Sequence, residues 1–156
     1  MKVIIPQSVV APAPGADWSV TVGADFRWHV LAVSAQLATS AAAANRDPSI
    51  VFKDPSGNVY VRLPVYAVQT ASQTLQYTWA RNGPTIQSQS GFAQAVAMTS
   101  VPLLGGWSIS TVTTNIAAAD QWSNIFMVIE QYDDLARPYA GEFHEEIEAL
   151  ARAYGT

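Results

Sequence analysis

Asp120-Gln121-Trp122-Ser123 sets a carboxylate three positions ahead of a hydroxyl, and Glu130 follows ten positions after Asp120. Two carboxylates facing one cleft could act as acid and base in glycoside hydrolysis, so this pair is weighed first. Its weight is small, because the chain holds twelve acidic residues and some such pair is nearly inevitable. Imidazole is scarce: His29 and His144 are the two histidines. His144, in GEFHEEIE, lacks the second histidine of an H-E-x-x-H zinc site and reads as a solvated helix position. His29 follows Trp28 in a strand-like stretch and reads as a half-buried packing residue. No G-x-S-x-G elbow occurs for a serine nucleophile. Asp54-Pro55-Ser56-Gly57-Asn58 lacks the lysine of a P-loop and the acid ladder of an EF-hand. Gly105-Gly106 leads into a strand pattern rather than a helix, which removes a phosphate cradle. Asp120 and Ser123 can instead bond nearby backbone N–H groups at a strand entry, with Trp122 capping a core. The expectation is therefore a non-enzyme: no catalytic residue, no cofactor site and no metal ligand.

Composition narrows the class further. The 156 residues are those of one ordinary domain. Apolar residues make up 49%, and charged residues 13%; the latter is about half the usual share. Ser, Thr, Gln and Asn fill the gap. A neutral polar surface suits β-sheet, and suits a chain covered by copies of itself or by a partner, since charge ordinarily keeps soluble proteins apart. The net charge is −4, and the eight Lys and Arg are scattered singly, so no nucleic-acid partner is expected. With no cysteine, the fold is held by burial and hydrogen bonds. The N-terminal apolar run, VII, is too short for a signal core, and no stretch approaches a membrane span. Synthesis and retention in the producing cell's cytoplasm, with no membrane partner, is the expectation.

The elements follow from periodicity. Residues 1–16 read as an extended N-terminal arm, because VVAPAPGA disfavours helix. From Trp18 the grammar is β. In the 30–37 stretch Leu31, Val33, Ala35 and Leu37 share one face and Val30, Ala32, Ser34 and Gln36 the other. The four alanines at 41–44 are too short to nucleate a helix. SIVFKDPSGNVYVRLP reads as a hairpin, with a turn at 54–58 and Gly57 or Asn58 at positive φ. In TLQYTW, Leu75, Tyr77 and Trp79 alternate against Thr74, Gln76 and Thr78. Residues 85–96 read as a polar loop. QWSNIFMVIEQY puts Ile125, Met127 and Ile129 on one face and Trp122, Phe126 and Val128 on the other, as in a central or interface strand. GEFHEEIEALARAY spaces Phe143, Ile147, Leu150 and Tyr154 at helical intervals, with acids early and Arg152 late. The fold class expected is mainly β: an antiparallel sandwich, jelly-roll-like, over 17–132. A C-terminal helical extension over 133–156 completes it.

Five segments in order, LATSAAAANR (37–46), IVFKDPSGNVYV (50–61), QTASQTLQYTWA (69–80), LLGGWSIST (103–111) and TTNIAAADQWSNIFMVIEQY (113–132), carry a likeness. Together they resemble small structural proteins of tailed bacteriophages, over about residues 27–132. The resemblance implies a virion component made in the host bacterial cytoplasm. A capsid decoration or cement protein comes first, and a neck, tail or fibre-anchoring protein second. Its partners would be the major capsid protein or other virion proteins, with homo-oligomerisation, and no cofactor. No family catalytic residue exists to carry over.

Two other classes stay open from the residues. Trp18, Trp28, Trp79, Trp107 and Trp122 could stack on host glycans in a binding module, and a glycan hydrolase would use the carboxylates above. For assembly, the contact candidates are Phe143, Ile147, Leu150 and Tyr154 at the C-terminal end and Val9 and Val10 at the N-terminal end. A row of large apolar side chains is unusual on a solitary soluble protein.

Overall fold

The structure, a computed structural model, describes residues 2–83, 86–87 and 93–133, together with 147, 149, 150 and 152. Among the described residues there are eleven strands. They are β1 (Lys2–Val9), β2 (Ser19–Thr21), β3 (Phe26–Ala38), β4 (Asp47–Lys53), β5 (Val59–Pro64) and β6 (Thr74–Arg81). β7 (Ile86–Gln87), β8 (Ala93–Met98), β9 (Val101–Leu103), β10 (Ser108–Thr114) and β11 (Gln121–Asp133) follow. A seven-stranded sheet runs β1-β11-β3-β6-β8-β7, with β9 also paired to β3, and a four-stranded sheet runs β2-β10-β4-β5. One hydrophobic cluster draws Val33, Leu37, Tyr77, Trp79 and Met127 from the first sheet and Ile50, Phe52, Val61, Leu63 and Ile109 from the second. The protein is mainly β, with its core shared by two sheets.

The local signals place most strands as expected. β6 buries Leu75, Tyr77 and Trp79 and turns Gln76 and Thr78 outward, the period-2 rule of a half-buried strand. The hairpin of β4 and β5 closes on Asp54, whose carboxylate accepts from the Asn58 backbone N–H and side-chain amide, both at 2.8 Å. Gly57 takes the positive φ, +87°, and Asn58 does not.

Several expectations are corrected. Within the extended N-terminal arm expected over 1–16, residues 2–9 join the sheet of this chain: β1 pairs with β11 along its whole length, Lys2 opposite Tyr132 through Val9 opposite Ile125. The prolines of the following segment leave strand pairing at residues 2–9 untouched, and Ile5 and Val9 pack against the core. The sheets are not wholly antiparallel, because β8 pairs parallel with β6. The loop expected over 85–96 therefore contains strands; its polar Gln94 is buried, with its side-chain amide bonded to Ala67 O.

Two bulges reverse the face of individual residues. In β3, Val30 opposes Ile129 and Ala32 opposes Val128, so Leu31 is an extra residue. Trp28 and Val30 are thereby buried with Val33, while Leu31 is only half-buried. In β11, Ser123 opposes Gln36 and Phe126 opposes Ser34, and the inserted Asn124 has φ +48°. Trp122 consequently joins Ile125, Met127 and Ile129 in the core instead of facing away with Phe126 and Val128. A third irregularity in the hairpin leaves Val59 exposed while Val61 and Leu63 are buried. The C-terminal helix expected over 142–154 is not among the strands and turns above. It falls largely outside the described residues, of which Ile147, Ala149, Leu150 and Arg152 are placed, with helical backbone.

Candidate functional site

The segments that carry chemistry-bearing residues meet where three loops close one end of the sheets. The Arg46 guanidinium donates from Nε to Asp120 Oδ2 at 2.8 Å and from Nη2 to Asp120 Oδ1 at 3.0 Å. Both side chains are fully buried. Arg46 Nη1 donates to Ala42 O and Ala44 O, each at 2.7 Å, and Nη2 also reaches Ser40 Oγ at 3.3 Å, so the alanine run wraps the arginine as a carbonyl-lined collar. Asp120 also accepts from the Ser40 N–H and hydroxyl and from the Ala117 N–H. Burial alone would raise the Asp120 carboxyl. The Arg46 bond, with the Ala117 and Ser40 donors, outweighs it and holds the group well below the usual carboxylate range.

Around this pair the polar groups are matched. Arg46 and Gln69 exchange backbone bonds at 2.9 Å. The Gln69 amide donates to Leu37 O and Gln73 O and accepts from the Tyr77 hydroxyl at 2.8 Å. Thr39 Oγ1 donates to Thr70 O at 2.7 Å. On the other flank Asp17 accepts from the Thr113 N–H and hydroxyl and from Trp122 Nε1. The junction thus consumes Thr39, Ser40 and Arg46 of the 37–46 segment, Gln69 and Thr70 of the 69–80 segment, and Asp120 and Trp122 of the last one. Residue types alone point to Asp120; Arg46 is the partner that sequence reasoning missed. Its signal was a lone cation in an alanine run. Chemically the junction is closed: an ionised, buried, fully bonded carboxylate has no lone pair to offer a substrate.

The carboxylate pair weighed at the outset does not form. Asp120 precedes β11 and Glu130 lies near its far end, ten residues away or about 33 Å along a strand. Glu130 bonds Lys2 Nζ at 2.8 Å and accepts from the Tyr132 hydroxyl at 3.1 Å, and the Lys2 bond first of all lowers its pKa. Its cross-strand neighbour is His29, whose Nδ1 lies 3.0 Å from Ser100 Oγ and whose ring leans on Tyr132 with centroids 5.6 Å apart. Serine, histidine and glutamate thus gather on one sheet face. Glu130 there is engaged by an ammonium and a phenol. His144 lies outside the described residues.

The tryptophans are mostly interior. Trp18, Trp28, Trp79 and Trp122 are buried, and Trp107, half-buried, meets the Tyr60 ring edge-on at 4.7 Å. Four of the five have no face open to a sugar. Among the described residues no three His, Asp or Glu side chains gather as a metal would require. No helix there is long and apolar enough to cross a membrane. Of the contact candidates, Val9 is half-buried against the core and Val10 is 89% exposed. Ile147 and Leu150 are half-buried, and Phe143 and Tyr154 lie outside the described residues.

The chain matches no protein-family model and no curated protein. Among solved structures it is similar to the structure of the Gt strain of infectious bursal disease virus, at 8% identity and a TM-score of 0.30. The match covers 100% of this chain and 48% of that one. T=1 particles derived from infectious bursal virus match at 7% identity and a TM-score of 0.29, over 90% of this chain and 42% of that one. The chain thus spans about half the length of these structures. Likeness this remote assigns neither fold nor role.

Proposed function

We propose that this chain is a non-enzymatic structural protein of a bacteriophage virion, a capsid decoration or cement protein that binds the capsid lattice and neighbouring copies. One observation carries the reading. The segments that resemble phage structural proteins supply the buried Arg46–Asp120 junction, which supports reading the shared residues as builders of a fold. The major capsid protein is the partner, with further copies of this chain, and nucleic acid, membrane and cofactor have no part. The two sheets act as a sandwich, and exposed apolar groups at its N-terminal edge, Ile4 and Val10, supply contact area. A neck or tail position is the second reading, supported by the same resemblance. A glycan-binding role is weakened by the burial of four tryptophans.

Copy number decides between the first two. Densitometry of purified particles, or a density map, is expected to give hundreds of copies per virion. A dozen or fewer would move the chain to the neck or tail, and its absence from particles would overturn the structural reading.

A further inference from the structure

The outer face of the seven-stranded sheet, turned away from the core, is built from rows that cross five strands. One row, joined by the pairing register, is Pro6, Val128, Ala32, Ala80 and Ala97. The next is Ser8, Phe126, Ser34, Thr78 and Ala95. A third holds Ser123, Gln36 and Gln76. None of these side chains is charged, and each is exposed or half-buried in the single chain, with Phe126 at 40%. Among the described residues charge returns at one margin, where Lys2 and Glu130 pair and Arg27 lies opposite Tyr132. The bulge at Asn124 is what turns Phe126 onto this face.

The edges of both sheets carry the devices that discourage pairing with another chain. β1 holds Lys2 and, at its middle, Pro6; β2 and β7 are two or three residues long; β5 carries Arg62 and ends in Pro64. The face carries none. A charged partner would find no complement on it, whereas an uncharged face of neutral polar and apolar side chains complements another like itself. Strands about 4.8 Å apart and rows about 6.7 Å apart make it roughly 20 by 20 Å, on the order of 400 Å². A stable pairwise interface buries about 800 Å² per partner, so one such contact is weak alone and gains strength when repeated.

We infer that this face is a self-association surface on which a second copy of the chain stacks, sheet against sheet, across a two-fold axis. The inference rests on the assembly reading above for its setting, many copies held close together. The four C-terminal contact candidates are not needed for it.

Sedimentation velocity of the full chain, from micromolar to near-millimolar concentration, tests it directly. Thr78→Lys and Thr78→Asp place one charge in the middle row of the face, and Val59→Lys places one on the exposed edge of the other sheet. Circular dichroism and thermal midpoints establish that each variant folds. The unmodified chain is expected to associate reversibly, each Thr78 variant to weaken that association at least about tenfold, and Val59→Lys to leave it unchanged. Mixing the Lys and Asp variants should restore it. A monomer across the whole range, Thr78 variants that associate like the parent, or Val59→Lys weakening it equally would each overturn the surface. Particle incorporation of the unmodified chain, measured in parallel, separates the two ideas: a parent that is monomeric across the whole range yet found in virions sinks this face alone.

Discussion

Arg46 and Asp120 lie 74 residues apart in sequence and meet through two hydrogen bonds, 2.8 and 3.0 Å, with both side chains wholly out of solvent. Removing one partner strands a buried charge. Asp120→Asn or Arg46→Met is therefore expected to cost about 3–5 kcal/mol in chemical denaturation. The double variant Arg46→Met with Asp120→Leu should cost less than the sum of the singles, because neither charge is then left alone. Additive losses would show that the two side chains do not act as a pair.

The same pair sets an acid limb. The folded pKa of Asp120 lies below its unfolded value of about 3.9. Its contribution is thus fully present above the unfolded value and is lost as pH falls through the folded one. Glu130, bonded to Lys2, and Asp54, bonded to Asn58, shift in the same direction. The denaturation midpoint should fall below about pH 4, and Asp120→Asn should flatten much of that fall. An acid limb unchanged in the variant would refute the assignment.

Core and bulge positions separate cleanly. Val33→Ala and Ile125→Ala are expected to cost about 1–4 kcal/mol each through lost burial and cavity formation. Leu31→Ala, at the bulge and half-exposed, should cost less than about 1 kcal/mol, as should His29→Gln. Equal losses at Leu31 and Val33 would place both side chains in the core.

Asn124 holds a left-handed backbone at φ +48°, which a β-branched residue adopts poorly. Asn124→Val should lose about 1–2 kcal/mol and Asn124→Gly only a few tenths. Equal melting curves for the two would mean that the bulge is not fixed by this residue.

Ser110 Oγ is buried with no hydrogen-bond partner, whereas the Thr113 hydroxyl donates to Asp17 Oδ1 at 2.6 Å. A buried hydroxyl without a partner carries a desolvation cost and has no bond to lose, so Ser110→Ala is expected to be neutral or mildly stabilising. Thr113→Val should cost about 1–3 kcal/mol, since it leaves Asp17 short of a donor. A stability loss in Ser110→Ala matching that of Thr113→Val would contradict this difference.

Deleting residues 2–9 strips β11 of its outer neighbour along eight paired positions. The shortened chain is expected to melt lower and to aggregate through the freed strand edge. A truncated form as stable and soluble as the full chain would show that the pairing of β1 with β11 adds nothing to the fold.

The sequence by itself determined what short-range physics can write. Alternation buries Leu75, Tyr77 and Trp79, and Asp-Pro-Ser-Gly-Asn closes a hairpin. Tertiary structure decided the rest. A one-residue bulge inverts every side chain beyond it, so the faces of Leu31 and Trp122 depended on register against a neighbouring strand. β1 finds its place only against β11, more than a hundred residues on, and β8 lies parallel to β6 by a crossover no local pattern announces. Arg46 is an unremarked cation until the chain returns at Asp120. Buried charges are chosen by which partner folding brings within 3 Å, and that choice is written in distances between strands rather than in spacing along one.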